Sequence, residues 1–110
     1  MNSKLAKLAA HAEVLEKIEH VIHVKGRLSI VSMLAAAGSL TFSELRDLLG
    51  LTDGNLAAHL RALDDAGYLR MTRRDRSKGK VVTDIALTSS GRTAFNRYLA
   101  GLEQIVKRHR

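Results

Sequence analysis

The sequence predicts a mainly α-helical chain carrying one small β-hairpin, an α+β class, and three observations predict it. Apolar residues recur at spacings of three and four through most of the chain, as one-sided helices require. Between Leu69 and Leu87 the spacing changes to alternation around a polar stretch, the pattern of two strands joined by a turn. Residues that start and stop helices, among them Thr41, Gly50, Thr52, Gly67 and Thr88, fall between the periodic segments rather than inside them.

Taken in order, Leu5, Leu8, Ala12, Leu15, Ile18 and Ile22 place an apolar stripe on a helix from about residue 3 to 22, with a charged opposite side. Lys25 and Gly26 interrupt that pattern. A second series, Leu28, Ile30, Val31, Met33, Leu34 and Ala37, predicts a second helix that Gly38 stops. Thr41-Phe42-Ser43-Glu44 has the form of a capping box, in which the Thr hydroxyl and the Glu carboxylate each satisfy an orphan backbone donor. The short helix that it opens is expected to turn Leu45, Leu48 and Leu49 inward. It ends at Gly50, where the missing Cβ permits a left-handed turn. Thr52 caps the next helix, and Asp53 puts an anion in its first turn, where the macrodipole favours one. Leu56, Leu60 and Leu63 mark its buried stripe and Gly67 its end, so two helices meet across Gly50-Leu51-Thr52.

Leu69 and Met71, then Val81, Thr83, Ile85 and Leu87, alternate as strands do on either side of the polar run Arg73 to Lys80, which predicts a hairpin with a basic tip. Thr88-Ser89-Ser90-Gly91 opens a last helix. Its stripe of Ala94, Tyr98, Leu99, Leu102, Ile105 and Val106 runs down to the basic end Lys107-Arg108-His109-Arg110.

Composition narrows the function. A chain of 110 residues suits one domain, and 18 Lys and Arg against 11 Asp and Glu leave a charge of +7, which favours an anionic partner such as nucleic acid. With no cysteine, disulfides, thiolate metal sites and cysteine nucleophiles are excluded. Phe42, Tyr68, Phe95 and Tyr98 are too few aromatics for a sheet that stacks single-stranded bases, so double-stranded DNA is the better target. No apolar run approaches the roughly 20 residues that cross a bilayer, and the start lacks a signal peptide's apolar stretch, so the expected location is the cytoplasm. No spacing of Ser, Asp and His suggests a catalytic site, so no enzyme activity and no cofactor are expected. His20 and His23, with His11 and His109 elsewhere, lack the cysteine or carboxylate neighbours that would make them a metal site.

The order helix, helix, helix, strand, basic loop, strand, helix is similar to winged-helix repressors of the MarR and ArsR kind. Leu51-Thr52-Asp53-Gly54-Asn55-Leu56 followed by His59 to Leu69 looks like a recognition helix of that group, and specifically of its small stand-alone branch. Leu87 to Phe95 resembles the branch's passage from wing to helix, and the match covers about residues 24 to 104. The resemblance implies a winged helix-turn-helix with additional N- and C-terminal helices. Residues 1–23 would form an amphipathic helix for dimerisation or core covering, and 24–110 the DNA-binding unit with its C-terminal dimerisation helix.

It also implies a sequence-specific regulator of transcription, acting as a repressor, with the helix at about 52–66 in the major groove and the wing at about 70–82 on phosphate or in the minor groove. With Leu56, Leu60 and Leu63 buried, Thr52, Asp53, Asn55, Ala58, His59 and Arg61 fall on or beside the free face. Asn55 suits adenine, Arg61 guanine or phosphate, and Thr52 with its free amides a phosphate. His59 has a second reading, packing against the first helix of the motif. Arg70, Arg73, Arg74, Arg76, Lys78 and Lys80 set six cations against Asp75 on the wing. Arg73, Arg74, Arg76, Lys78 and Lys80 are its expected DNA contacts.

The apolar stripes of the terminal helices exceed what so small a core covers. A homodimer through Leu5, Leu8, Leu15, Ile22, Tyr98, Leu102 and Ile105 is therefore expected, on a palindromic operator with recognition helices about 10 base pairs apart. A small-molecule effector is compatible with this reading, but no residue pattern identifies one. The competing reading is a winged-helix module that docks a protein partner without direct DNA binding.

Overall fold

The computed structural model describes residues 3–17 and 25–109. Helix α1 (Ser3–Lys17) comes first, then α2 (Lys25–Ala37), strand β1 (Ser39–Thr41), α3 (Phe42–Leu49) and α4 (Asp53–Asp65). Strands β2 (Leu69–Arg76) and β3 (Lys80–Leu87) flank one 3-10 turn at Ser77–Gly79, and α5 (Ser89–Arg108) closes the chain. This is the predicted α+β class. Local chemistry places the boundaries: Thr41 and Glu44 form the reciprocal capping box, while Thr52 and Thr88 cap α4 and α5 through their hydroxyls. Gly38, Gly50 and Gly67 turn the chain at positive φ.

The core is drawn from α2, α3, α4, the base of the β2–β3 hairpin and α5. Ile30, Val31 and Leu34 of α2 meet Leu45 of α3, Leu56, Leu60 and Leu63 of α4, Leu69, Ile85 and Leu87 of the hairpin base, and Ala94 and Tyr98 of α5. Each fully buried Leu or Ile contributes about 1.5–3 kcal/mol over an exposed one. These contacts fix the orientation of α4 relative to the hairpin.

The structure corrects several expectations. Helix α2 begins at Lys25, so Lys25 and Gly26 lie in its first turn rather than breaking the pattern. The His59 imidazole lies against Gly26, where a Cβ would stand 2.4 Å from its Nε2. Leu48, expected inward, is 59% exposed. Leu45 and Leu49 are one turn apart and share the packed side, whereas Leu48 lies about 60° around the helix from Leu45. Strand β1 is too short for its alternation to register in the sequence. It pairs antiparallel with β3 (Ser39 opposite Ala86, Thr41 opposite Asp84), making a sheet of order β1-β3-β2. Most of the polar run from Arg73 to Lys80 is strand, since the β2–β3 ladder continues to Arg76 opposite Lys80. Backbone pairing holds that part of the hairpin beyond the core, where no apolar face is required.

Tyr98, expected on a dimer face, is a correction of the same kind: it is 4% exposed and belongs to its own chain's core, with Leu102 and Ile105 partly buried against it. Among the described residues, Leu5, Leu8, Leu99 and Val106 are the exposed large apolar side chains of the terminal helices. The Leu15 side chain and Ile22 lie outside the described residues, as do the side chains of His11, His20 and His23. Helix α1 rests on α5, and the radius of gyration is 17.3 Å, against about 13 Å for a compact domain of this length.

Candidate nucleic-acid interface

Two neighbouring elements carry the polar surface of interest, helix α4 and the β2–β3 hairpin. The turn Gly50-Leu51-Thr52 delivers α4 with a defined start. Gly50 takes φ 63°, and Thr52, in extended conformation, accepts a hydrogen bond on Oγ1 from the Asn55 N–H at 3.1 Å. The first-turn amides of Asp53 and Gly54 have no intrahelical acceptor within reach. Leu56, Leu60 and Leu63 face the core, and Thr52, Asp53, Gly54, Asn55, Ala58 and Arg61 are exposed along the free side.

His59 is set apart from those residues. Its imidazole packs on Gly26 at the start of α2 and is half-buried, lining with Ser29, Leu49 and Leu51 a cleft of about 300 Å³. The ring thus lies against the start of α2, while α3, the first helix of the motif, contributes Leu49 to the same cleft.

Asp53 is not a free carboxylate. Arg46 of α3 donates from Nη1 to Asp53 Oδ1 at 3.1 Å and from Nε to Asp47 Oδ1 at 3.0 Å, so one guanidinium ties α3 to the first turn of α4. The hydrogen bond to Asp47, followed by that to Asp53, favours the charged Arg46 still further. Sequence reasoning missed Arg46. The available signal was a cation seven residues before Asp53 on a short, capped helix.

The hairpin's ladder sorts its side chains by face. Leu69, Met71, Arg73 and Asp75 share one side with Val81, Thr83, Ile85 and Leu87. Arg70, Thr72, Arg74 and Arg76 share the other with Lys80, Val82, Asp84 and Ala86. At the tip Lys78 and Gly79 both take positive φ, 70° and 71°. For a lysine this is an uncommon conformation, of the kind that costs on the order of 1 kcal/mol. It places a cation at the apex of the turn.

All six basic residues from Arg70 to Lys80 are exposed. Arg74 is bound: its Nε and Nη2 donate to Asp84 Oδ2 and Oδ1 at 2.7 and 3.2 Å. Among the described residues no carboxylate pairs with Arg70, Arg73, Arg76, Lys78 or Lys80. Arg74, through that hydrogen bond, holds the Asp84 carboxyl below the usual carboxylate range. Glu44 is also lowered, first by the N–H of Thr41, with Arg76 adding a smaller attraction. Asp84 was missed in the sequence because it lies ten positions from Arg74 and becomes its neighbour only in the ladder.

The hairpin is anchored where it enters α5. Thr88 Oγ1 donates to the Gly67 carbonyl at 2.6 Å and accepts from the Gly91 N–H at 3.0 Å, while the Thr88 N–H donates to the Tyr68 carbonyl at 3.0 Å. Gly91 is buried against Tyr68, and a Cβ there would fall 2.4 Å from the Tyr68 carbonyl oxygen. Among the described residues no three His, Asp or Glu side chains gather as a metal site would need, and no helix is long and apolar enough to cross a membrane.

Comparison with known proteins agrees with this geometry. Residues 27–106 match the family described as winged helix DNA-binding domain. An uncharacterized protein of Methanocaldococcus jannaschii is 37% identical over 81 residues, covering 74% of this chain and 87% of that one. A solved structure described as a transcriptional regulator homologue, from Pyrococcus horikoshii, superposes with a TM-score of 0.78 at 27% identity, covering 86% of this chain and 95% of the other. A MarR-family transcriptional regulator from Silicibacter pomeroyi shares the fold at a TM-score of 0.61 and 17% identity, over 90% of this chain and 65% of its own.

Proposed function

Since the chain belongs to the winged-helix DNA-binding domain family, we propose that it is a transcriptional regulator, a repressor, that binds a palindromic duplex site as a homodimer. The observation that carries this reading is one helix, backed by Leu56, Leu60 and Leu63, that presents Thr52, Asn55, Ala58 and Arg61 outward beside a hairpin with five cations that no carboxylate pairs with among the described residues.

Helix α4 enters the major groove, where each base pair offers a distinct set of donors and acceptors. Asn55 pairs with adenine, and Arg61 reaches guanine or a backbone oxygen. Thr52 and the free amides of the first turn sit at a phosphate, which the positive end of the helix attracts. Asp53 keeps Arg46 at that end, and the guanidinium, shared with Asp47, offsets part of the carboxylate's repulsion toward DNA. His59 acts on the flank, fixing how α2 and α4 pack. On the hairpin, Arg73, Arg76, Lys78 and Lys80 contact phosphate or the minor groove, and they supply sequence-independent affinity.

Dimerisation uses α1 and α5. Leu5 and Leu8 are each 54% exposed, Leu99 46% and Val106 54%, on an elongated molecule whose terminal helices extend past the core. Pairing these faces about a two-fold axis buries them and sets two α4 helices about 10 base pairs apart.

Selection of bound fragments from a random duplex pool tests the reading. The expected result is an enriched inverted repeat with that spacing, bound more weakly as salt rises. Failure to retain any duplex in dilute buffer would overturn it and favour a protein-docking module.

A further inference from the structure

The Arg74–Asp84 pair lies within the cationic hairpin and works against it. In the β2–β3 ladder Arg74 stands opposite Val82, so Asp84 is its diagonal neighbour on the same face. Asp84 is also opposite Thr41 of β1, which seats its carboxylate over the central strand of the sheet. The guanidinium is held in two places, by Nε and Nη2, in the fork geometry that carboxylates and phosphates both accept. Asp84 therefore occupies the binding mode that a DNA phosphate would use on Arg74. Both side chains remain partly open, 50% for Arg74 and 28% for Asp84. The consequence of the pair lies in where it leaves the charge.

On the reading that this chain binds duplex DNA, we propose that Asp84 withholds Arg74 from the phosphate backbone and thereby limits the wing's sequence-independent attraction. Arg74 then stays on the sheet, held there by Asp84. The phosphate contacts of the wing come from Arg73, Arg76, Lys78 and Lys80, which have no such partner among the described residues.

Salt dependence reads this directly, because each phosphate neutralised adds about 0.9 to the slope of log affinity against log salt, and a purely structural residue leaves that slope alone. Binding of a fluorescent scrambled duplex is measured by anisotropy across a salt series. The proteins are the wild type, Asp84→Asn, Arg74→Ala, the double variant, and Asp64→Asn, which changes net charge equally but away from the wing. Thermal melting confirms that each is folded.

The expected result is that Asp84→Asn steepens the slope by about 0.9 for each wing on the DNA. It should also bind several-fold more tightly at low salt, beyond any change in Asp64→Asn. Arg74→Ala should keep the wild-type slope, and the double variant should return to it. A shallower slope for Arg74→Ala would overturn the proposal by placing Arg74 on phosphate in the wild type. An Asp84→Asn slope equal to that of Asp64→Asn would overturn it by leaving Arg74 off the DNA even when free. Absence of duplex binding by the wild type refutes the regulator reading itself, and is told apart by that protein alone.

Discussion

Replacing Gly91 with alanine sets two known effects against each other at one position. Gly91 is helical and its φ is not positive, so the substitution by itself favours folding, by about 0.4–1 kcal/mol through the unfolded chain. Against this, the added Cβ would lie 2.4 Å from the Tyr68 carbonyl oxygen, 0.6 Å inside the 3.0 Å limit below which such contacts are essentially absent. The obstacle is backbone and cannot rotate away. Tyr68 O also accepts the Thr88 N–H at 3.0 Å, so separating α5 from the hairpin stretches that bond as well. Overpacking of this kind costs about 1–3 kcal/mol, and a weakened hydrogen bond about 1 kcal/mol more. The net expectation is destabilisation by about 1–3.5 kcal/mol, or a fall in Tm of roughly 4–15 °C for a chain of this length. Calorimetry at one fixed protein concentration measures it, since assembly would otherwise shift Tm. Gly54→Ala is the matched control: nothing lies within 4 Å of its Cβ position, and its Tm should rise. If Gly91→Ala melts at or above the wild type, the close approach of α5 to Tyr68 is not the constraint argued from this geometry.

Other outcomes follow from the same contacts. Asn55→Ala should weaken binding to the selected duplex by about 1–3 kcal/mol and barely affect a scrambled one, and an equal loss on both would make Asn55 a backbone contact or a structural residue. Leu8→Glu together with Val106→Glu should convert a sedimenting dimer to a monomer, while an unchanged sedimentation coefficient would locate the interface elsewhere. The Glu44 and Asp84 carboxyls are both held below their usual range in the folded chain. At acid pH the unfolded chain therefore binds more protons, and the stability that these groups add is complete above the ordinary carboxylate range and lost as pH falls through it toward the folded values. A Glu44→Gln, Asp84→Asn protein should show a shallower drop in Tm between about pH 5 and pH 3 than the wild type, and an identical drop would remove both groups from the acid response.

Much of the fold was legible because its signals are local. The capping box at Thr41 and Glu44, the caps Thr52 and Thr88, and the left-handed Gly50 depend on neighbours within four residues, and each stands in the structure as the spacing indicates. The stripe Leu56, Leu60 and Leu63 needed only the helical period, and with it came the outward positions of Asn55 and Arg61. The basic hairpin was visible as composition. Helix boundaries, the class of fold, and a polar helix beside a cationic finger were thus written in the order of residues.

What only the tertiary structure decided were relations between residues far apart in the chain. Gly26 reads as a breaker until His59, thirty-three positions later, is seen filling the space its missing side chain leaves. Tyr98 belongs to an apolar stripe that suits either a dimer or a core, and the packing of α5 on the hairpin base buries it in its own chain. Arg74 and Asp84, or Arg46 and Asp53, are single charges in the sequence, and they become pairs through a strand register and a helix-to-helix turn. The physical reason is common to all of these. Periodicity and capping act over one turn, whereas burial and charge pairing depend on which surfaces the whole chain brings together, and a residue's type does not state its partner.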